Sequence, residues 1–436
     1  MDIQNKLLGF FKSAVVGRSI NVLLLRVLGV ILFFLVTTLI TQNFPASLVG
    51  EYDFSRSLLL VLGTLAIFGM QSSVIYYSGF LASMERLSYI KKVYAQMILI
   101  VFALSVLILL GSQLFRIEAI SELTGFHLSS NVTKTLLAVF FYGVTMLNID
   151  TFRGMDKIYV SEIFRNVLRY IFFFGAVWYI FANGETGRLV DVFLLNFVLL
   201  SLLSSIAVLW YFTRTRFKDS GASVTINYRD ILKRSAPMAV SAASFLLMQS
   251  LDVLMLTYFT DFETVAYYSV AVKLTLLISI VLSSVNAVIA PKIAEFYASK
   301  HMDKLKNTIR RGTQLIFFMT APVILVLALF SSYVLEFFGD GYSAANVALI
   351  ILLGGQIINT FCGSIGVYLN MTGKQKKFQI ILISALVINI VLNYILIPIH
   401  GMIGAAVATS VSMVLWNTVA VIYVYRTDRV KTFLSL

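Results

Sequence analysis

Apolar runs long enough to cross a bilayer recur along the whole chain, from Ile20 to Tyr425. About 18 or more such residues in a row span a hydrocarbon layer of ~30 Å as a helix. Backbone N–H and C=O groups cannot be left unpaired in lipid, so only helices or closed barrels cross it. The runs are long and continuous, which predicts an all-α polytopic membrane protein. Twelve spans can be separated, at about 20–43, 54–79, 92–112, 131–150, 160–182, 190–213, 236–259, 264–290, 312–337, 345–371, 377–398 and 402–425. The polar segments between them are short and leave no room for a separate soluble domain. Charged residues are 13% of the chain, about half the usual soluble share of ~25%. The first run is long and carries no small-residue cleavage pattern, so it is expected to be a span and not a cleaved leader.

The net charge of +13 raises the question of nucleic acid. The placement of the charges answers it. Lys6, Lys12 and Arg18 precede the first span, and basic clusters follow every even-numbered span, such as Arg229, Lys233 and Arg234 after the sixth and Lys304, Lys306, Arg310 and Arg311 after the eighth. The opposite loops hold Arg116 and Arg188 with acids such as Glu51, Asp53, Asp261, Glu263 and Asp340. The positive-inside rule then puts both termini in the cytoplasm. The excess charge is a topology signal that also suits anionic lipid head groups, and no nucleic-acid partner is expected.

The longest polar stretch, near 213–234, divides the chain into six spans plus six. The expected domains are 1–218 and 219–436, each a six-helix bundle. A constant shift of 216 residues places Arg18-Ser19 on Arg234-Ser235, Val49-Gly50-Glu51-Tyr52 on Val265-Ala266-Tyr267-Tyr268, and Ala82-Ser83 on Ala298-Ser299. An even number of spans per half makes the halves a parallel repeat, and transporters built this way place substrate between the halves.

Six cations lie in or just inside the spans: Arg26, Arg56, Lys134, Arg165, Arg169 and Lys273. A charge at the bilayer centre costs at least ~2.5–3.5 kcal/mol, so it must face protein or water, or bind something. Lys134 and Arg165 are near span ends and can snorkel to the head groups. Arg26, Arg56, Arg169 and Lys273 are the candidate lining of a cationic, substrate-binding cavity. Arg56 and Lys273 sit at nearly equivalent repeat positions, since Ser57 aligns with Lys273. Arginine suits phosphate because its planar fork engages two oxygens at once. Asp252 reads as the sole acid well inside a span. It is either the salt-bridge partner of Lys273 or a site for H⁺ or Na⁺ coupling.

Gly354, Gly355, Gln356, Asn359, Asn370, Asn389 and Asn393 are expected at helix contacts, where small residues and amides join membrane helices. Pro237 and Pro322 are expected to bend their helices. No catalytic or metal-ligating constellation is legible. Gly373-Lys374-Gln375 lacks the spacing of a phosphate-binding loop, His127, His301 and His400 are scattered, and Cys362 is the sole cysteine. The longest outer segment, about 112–130, is short for a membrane glycan polymerase or ligase. No enzyme and no cofactor is expected, beyond a gradient of H⁺ or Na⁺.

Four stretches carry a family likeness: Phe44-Pro45-Ala46-Ser47-Leu48-Val49-Gly50-Glu51-Tyr52; Val265 to Ala271 continuing to Ala290-Pro291-Lys292-Ile293; Phe338-Gly339-Asp340-Gly341-Tyr342-Ser343-Ala344-Ala345; and Asn389-Ile390-Val391-Leu392-Asn393 through Pro398 to Gly401-Met402-Ile403-Gly404-Ala405-Ala406. With them the chain resembles the polysaccharide transporter family, the Wzx-type O-antigen flippases of the MATE-like MOP superfamily. The resemblance implies two six-helix bundles in a V around a central cavity. It implies transfer of an undecaprenyl-pyrophosphate-linked oligosaccharide from the inner to the outer leaflet of the bacterial cytoplasmic membrane by alternating access. Relatives carry cavity cations on their first, second and eighth helices, the helices of Arg26, Arg56 and Lys273. Lipid II flippases carry two further helices that this chain lacks, which favours an oligosaccharide-repeat substrate. The partners so implied are that substrate, membrane lipids, and polysaccharide polymerase and chain-length machinery, around a monomer. A multidrug or cation exporter of the same superfamily is the alternative, with a glycan polymerase or ligase behind it.

Overall fold

The computed structural model describes residues 14–114, 128–215 and 225–435, which are helical throughout apart from short turns and contain no strand. Lys6, Lys12, Arg116, His127 and the expected boundary at 218/219 lie outside the described residues. The helices are α1 (Ala14–Asn43), α2 (Ala46–Ile67), α3 (Met70–Ser83), α4 (Ile90–Leu114), α5 (Leu128–Gly154), α6 (Ile158–Glu162), α7 (Arg169–Ala182), α8 (Leu189–Arg214), α9 (Tyr228–Phe259), α10 (Phe262–Ala298), α11 (Met302–Leu329), α12 (Ser331–Glu336), α13 (Asn346–Cys362), α14 (Ile365–Met371) and α15 (Gln375–Asp428). A π-helical turn, Ile163–Leu168, joins α6 to α7.

Ten described segments are long and apolar enough to cross a membrane, and α9 makes an eleventh as two pieces joined at a bend between Ser244 and Leu246. At 1.5 Å per residue the 54 residues of α15 would extend ~80 Å, over twice the hydrocarbon thickness. Its backbone turns at Gly401 (φ 53°, ψ −133°), so α15 contains two spans, 375–400 and 402–428. Taking α9 as one and α15 as two, the described residues hold twelve candidate crossings. The repeat is visible in the element bounds. Adding 216 to the end of α1 at 43 gives 259, the end of α9, and adding it to the start of α2 at 46 gives 262, the start of α10.

Two compact units result. One contains the described residues of Met1–Asn43 with Leu58–Ala243, the other Phe44–Ser57 with those of Ser244–Leu436. The division therefore runs through the helices α2 and α9. In the first unit, close approach and polar glue replace the hydrophobic drive that lipid does not supply. A Cβ on Gly63 would lie 2.2 Å from the Tyr142 ring, and one on Gly143 2.8 Å from Val101. The Tyr94 hydroxyl donates to Asn148 Oδ1 at 2.6 Å, and the Asn148 amide donates to Ser204 and Ser205 at 2.9 and 3.0 Å, tying α4, α5 and α8 together.

The second unit repeats the device. Gly355 packs on Ser410, whose hydroxyl donates to the Ile351 carbonyl at 2.9 Å. Asn417 donates to Asn359, and Asn393 to Asn389. The expected tenth span is broken between α13 and α14 at Gly363 (φ 64°), where a Cβ would lie 2.2 Å from Thr313 Oγ1. The helix α11 continues through Pro322, and the break in α9 lies between Ser244 and Leu246, beyond Pro237.

Candidate functional site

The start of α2 is where sequence reading and structure part most sharply. The helix opens at Ala46, eight residues before the expected span, so Asp53 lies inside it and not in a loop. Gly50 brings α2 against the start of α10: a Cβ there would fall 1.8 Å from the Phe262 carbonyl oxygen. Phe54 and Phe262 meet edge to face. This registers Asp53 opposite Lys273. The two are buried, with Nζ 2.7 and 2.8 Å from the carboxylate oxygens, and the ammonium also lies 5.6 Å from the centre of the Tyr52 ring. Arg56, three residues beyond Asp53, belongs to the same unit.

Lys273 therefore does not pair with Asp252. That carboxylate is buried and accepts hydrogen bonds from the Tyr268 hydroxyl, from Thr409 Oγ1 at 3.2 Å and from the Val253 amide at 3.0 Å. Among the described residues it makes no ion pair. The reason is register. Asp53 faces Lys273 directly, whereas Tyr268, five residues earlier on α10, occupies Asp252. The salt-bridge reading of Asp252 is overturned by this geometry, and the ion-coupling reading stays a proposal.

In the first unit the deep cations are also accompanied. Glu162, at the end of α6, is fully buried. It accepts from Arg26 Nε at 3.2 Å and Nη2 at 2.9 Å, from Arg153 Nη2 at 2.7 Å, and from Asn166 Nδ2 at 2.7 Å. Asp150, near the end of α5, accepts from Arg165 Nη2 at 2.6 Å and lies 3.8 Å from Arg153 Nη1. Close packing makes the junction: a Cβ on Gly29 would sit 2.7 Å from the carbonyl oxygen of Asn166 in the π turn. Arg165 is thus held in an ion pair, where snorkelling to head groups was expected. Lys134 pairs with Asp191 at 2.6 Å, both partly exposed. Arg169 has aromatic neighbours instead, its guanidinium 5.1 Å from the Phe197 ring centre and 5.5 Å from that of Tyr170.

The expected balance of six cations to one acid is accordingly corrected. Asp53, Asp150, Glu162 and Asp191 each pair with a cation that the sequence placed in a span. A partial signal was available. Asp150 precedes Arg153 by three positions, and Glu162 precedes Asn166 by four, the spacings that meet on one helix face. Asp53 gave no such signal, because its partner lies 220 residues away. Arg26 and Arg169 fall in the first unit, Arg56, Lys273 and Asp252 in the second. Among the described residues no cluster of three or more His, Cys, Asp or Glu could hold a metal ion. The guanidiniums gathered here present forked donors whose visible acceptors are the chain's own carboxylates. They offer no nucleophile set against a base.

Comparisons with known proteins agree with this architecture. Over 92% of its length the chain is 23% identical to the probable low-salt glycan biosynthesis flippase Agl15 of Haloferax volcanii, covering 81% of that protein. Its fold matches an inward-facing MATE family transporter of the MOP superfamily with a TM-score of 0.72 at 17% identity, over 92% of this chain and 93% of that one. It matches the lipid II flippase MurJ, inward closed, equally well, at 0.72 and 15% identity over 93% and 87%. These two likenesses establish the MATE-like fold. Residues 237–395 match the MatE family, and residues 16–297, more than half of the chain, match the family described as polysaccharide biosynthesis protein. The chain is a multi-pass membrane protein and belongs to the polysaccharide biosynthesis protein family.

Proposed function

We propose that this protein is a flippase that carries a lipid-linked oligosaccharide repeat unit, joined to a polyprenyl diphosphate, from the inner to the outer leaflet. In a bacterial host the carrier lipid is undecaprenyl and the membrane the cytoplasmic one. The protein acts as a transporter and not as an enzyme, by alternating access. Both termini face the cytoplasm, the working form is a monomer, and a gradient of H⁺ or Na⁺ drives the cycle, with Asp252 the candidate coupling group. Arg26, Arg56, Arg169 and Lys273 are the candidate contacts to substrate. The observation that carries the reading is Arg26: a half-buried guanidinium in the first span, held in a fixed two-point geometry by Glu162. A forked cation at that depth suits a diphosphate. Family membership and the likeness to a glycan flippase over most of the chain support the same class.

The MatE match over residues 237–395 favours a second reading, export of drugs or organic cations. The acids paired with Arg26, Lys134, Arg165 and Lys273 offset charge that would otherwise repel cationic cargo. Deleting the gene in its native host and labelling lipid-linked oligosaccharide by leaflet separates the two readings. Accumulation on the inner leaflet, reversed by the wild-type gene and not by Arg26→Ala, is the expected result. An unchanged leaflet distribution with intact surface glycan and greater drug sensitivity would instead establish the exporter.

A further inference from the structure

We infer that Arg26, Arg153 and Arg165 form a three-pronged receptor for a phosphate ester, with Glu162 and Asp150 as the buried carboxylates that position them. The inference deepens the flippase reading and rests on it for the identity of the ligand. Three observations carry it. The first is charge. Three guanidiniums face two carboxylates, so the cluster holds a net +1 within spans, where an uncompensated charge is costly. The second is the direction of burial. The Glu162 and Asp150 side chains are 0% and 7% exposed, while those of Arg26, Arg153 and Arg165 are 39%, 32% and 30% exposed. The acids form the floor and the arginines the accessible rim. The third is donor count. Each guanidinium has five N–H donors. The carboxylates engage Nε and Nη2 of Arg26 and one Nη2 each of Arg153 and Arg165. Arg165 Nε is buried and makes no hydrogen bond among the described residues.

The two buried acids satisfy only part of what the three guanidiniums can donate. The cluster has donors and charge left over for an anion with several oxygens. It also sits at a suitable depth. Glu162 is five residues, roughly 8 Å of helix rise, beyond the polar turn at Met155–Lys157. The π turn that follows directly, bearing Arg165 and Asn166, is the kind of helix irregularity found at functional sites. The shared chemistry is a phosphate ester at the membrane surface. The diphosphate of the carried lipid and the head group of an acidic phospholipid both have it.

The test uses full-length protein in detergent and titrates farnesyl diphosphate, with farnesol as control, against wild type, Arg153→Gln and Arg165→Gln. Each substitution is expected to weaken farnesyl diphosphate roughly 10- to 100-fold and to flatten the dependence of affinity on salt. Farnesol is expected not to bind. Equal affinities across the three proteins, or farnesol binding as well as the diphosphate, would overturn the receptor. Should either Gln variant fail to fold, Arg153→Lys and Arg165→Lys keep the charge but lose the fork; they are expected to bind several-fold more weakly than wild type, and wild-type binding by both overturns it. Glu162→Gln tests positioning: the preference for farnesyl diphosphate over inorganic sulfate is expected to fall about 10-fold, and an unchanged preference removes Glu162 from the inference. Nanodiscs of phosphatidylcholine with and without phosphatidylglycerol distinguish the ligand sources. If phosphatidylglycerol binds and its binding is weakened by Arg153→Gln and Arg165→Gln while farnesyl diphosphate binds measurably to none of the three proteins, the receptor stands for a lipid head group and the flippase reading fails. If neither ligand depends on these arginines, the receptor fails and the flippase reading is left to the leaflet assay.

Discussion

Lys273 and Asp53 show how one buried pair can be read two ways. Removing a single partner from a buried ion pair leaves an unpaired charge and costs about 3–5 kcal/mol. Lys273→Ala and Asp53→Ala are therefore each expected to lower thermal stability in detergent sharply. The double variant Lys273→Met with Asp53→Leu removes both charges and is expected to recover most of the loss. Transport decides the role. A stable double variant that still carries substrate makes Lys273 structural. A stable one that does not makes it a substrate contact. Arg26 poses the same question with a different geometry: Arg26→Lys keeps the charge but not the fork, so it is expected to retain more flux than Arg26→Ala and less than wild type. Equal flux in the Lys and Ala variants would remove charge from the account of Arg26.

At the scale of elements, glycine sets how close helices approach and where they break. Gly50→Ala would place a Cβ 1.8 Å from the Phe262 carbonyl, a backbone atom that no side-chain rotation can move away. It is expected to separate α2 from α10, loosen the Asp53–Lys273 pair and cut folded yield, measured by monodispersity in detergent. Gly401→Ala acts by strain alone, since no atom lies within 4 Å of a Cβ there. With φ at 53° and ψ at −133° it is expected to cost on the order of 1–3 kcal/mol, read as a lower melting temperature. The helices of this chain were legible from their apolar runs, and the spans at 190–213 and 402–425 fall within the observed helices. The break at Gly363 was not legible, because hydropathy carries neither its positive φ nor its close approach to Thr313 on α11.

For the whole molecule, the distribution of loop charges makes a topology that can be checked directly. A fluorescent protein fused after residue 436 is expected to fold and fluoresce, and alkaline phosphatase at the same place to be inactive. The opposite pair of results would invert the orientation and move the Arg26, Arg153 and Arg165 cluster to the outer face. Light scattering of the purified protein is expected to give the mass of one 48.7 kDa chain. The 216-residue offset, read from scattered identities, survives as matching helix ends at 43 and 259 and matching starts at 46 and 262.

Composition and order along the chain were enough to determine an all-helical, multi-pass membrane protein. Each crossing is a local property: about 20 apolar residues in a row must be helical in lipid whatever surrounds them. The depth of Arg26, Arg169 and Lys273 was local in the same sense. What each cation does with its charge was decided only in three dimensions. Asp53 reaches Lys273 across 220 residues, and Glu162 reaches Arg26 across 136. Hydropathy along one helix carries no information about the helix packed beside it. Pairing in a low-dielectric interior depends on angstroms of register, and here Gly29 and Gly50 set that register by where they let two backbones touch.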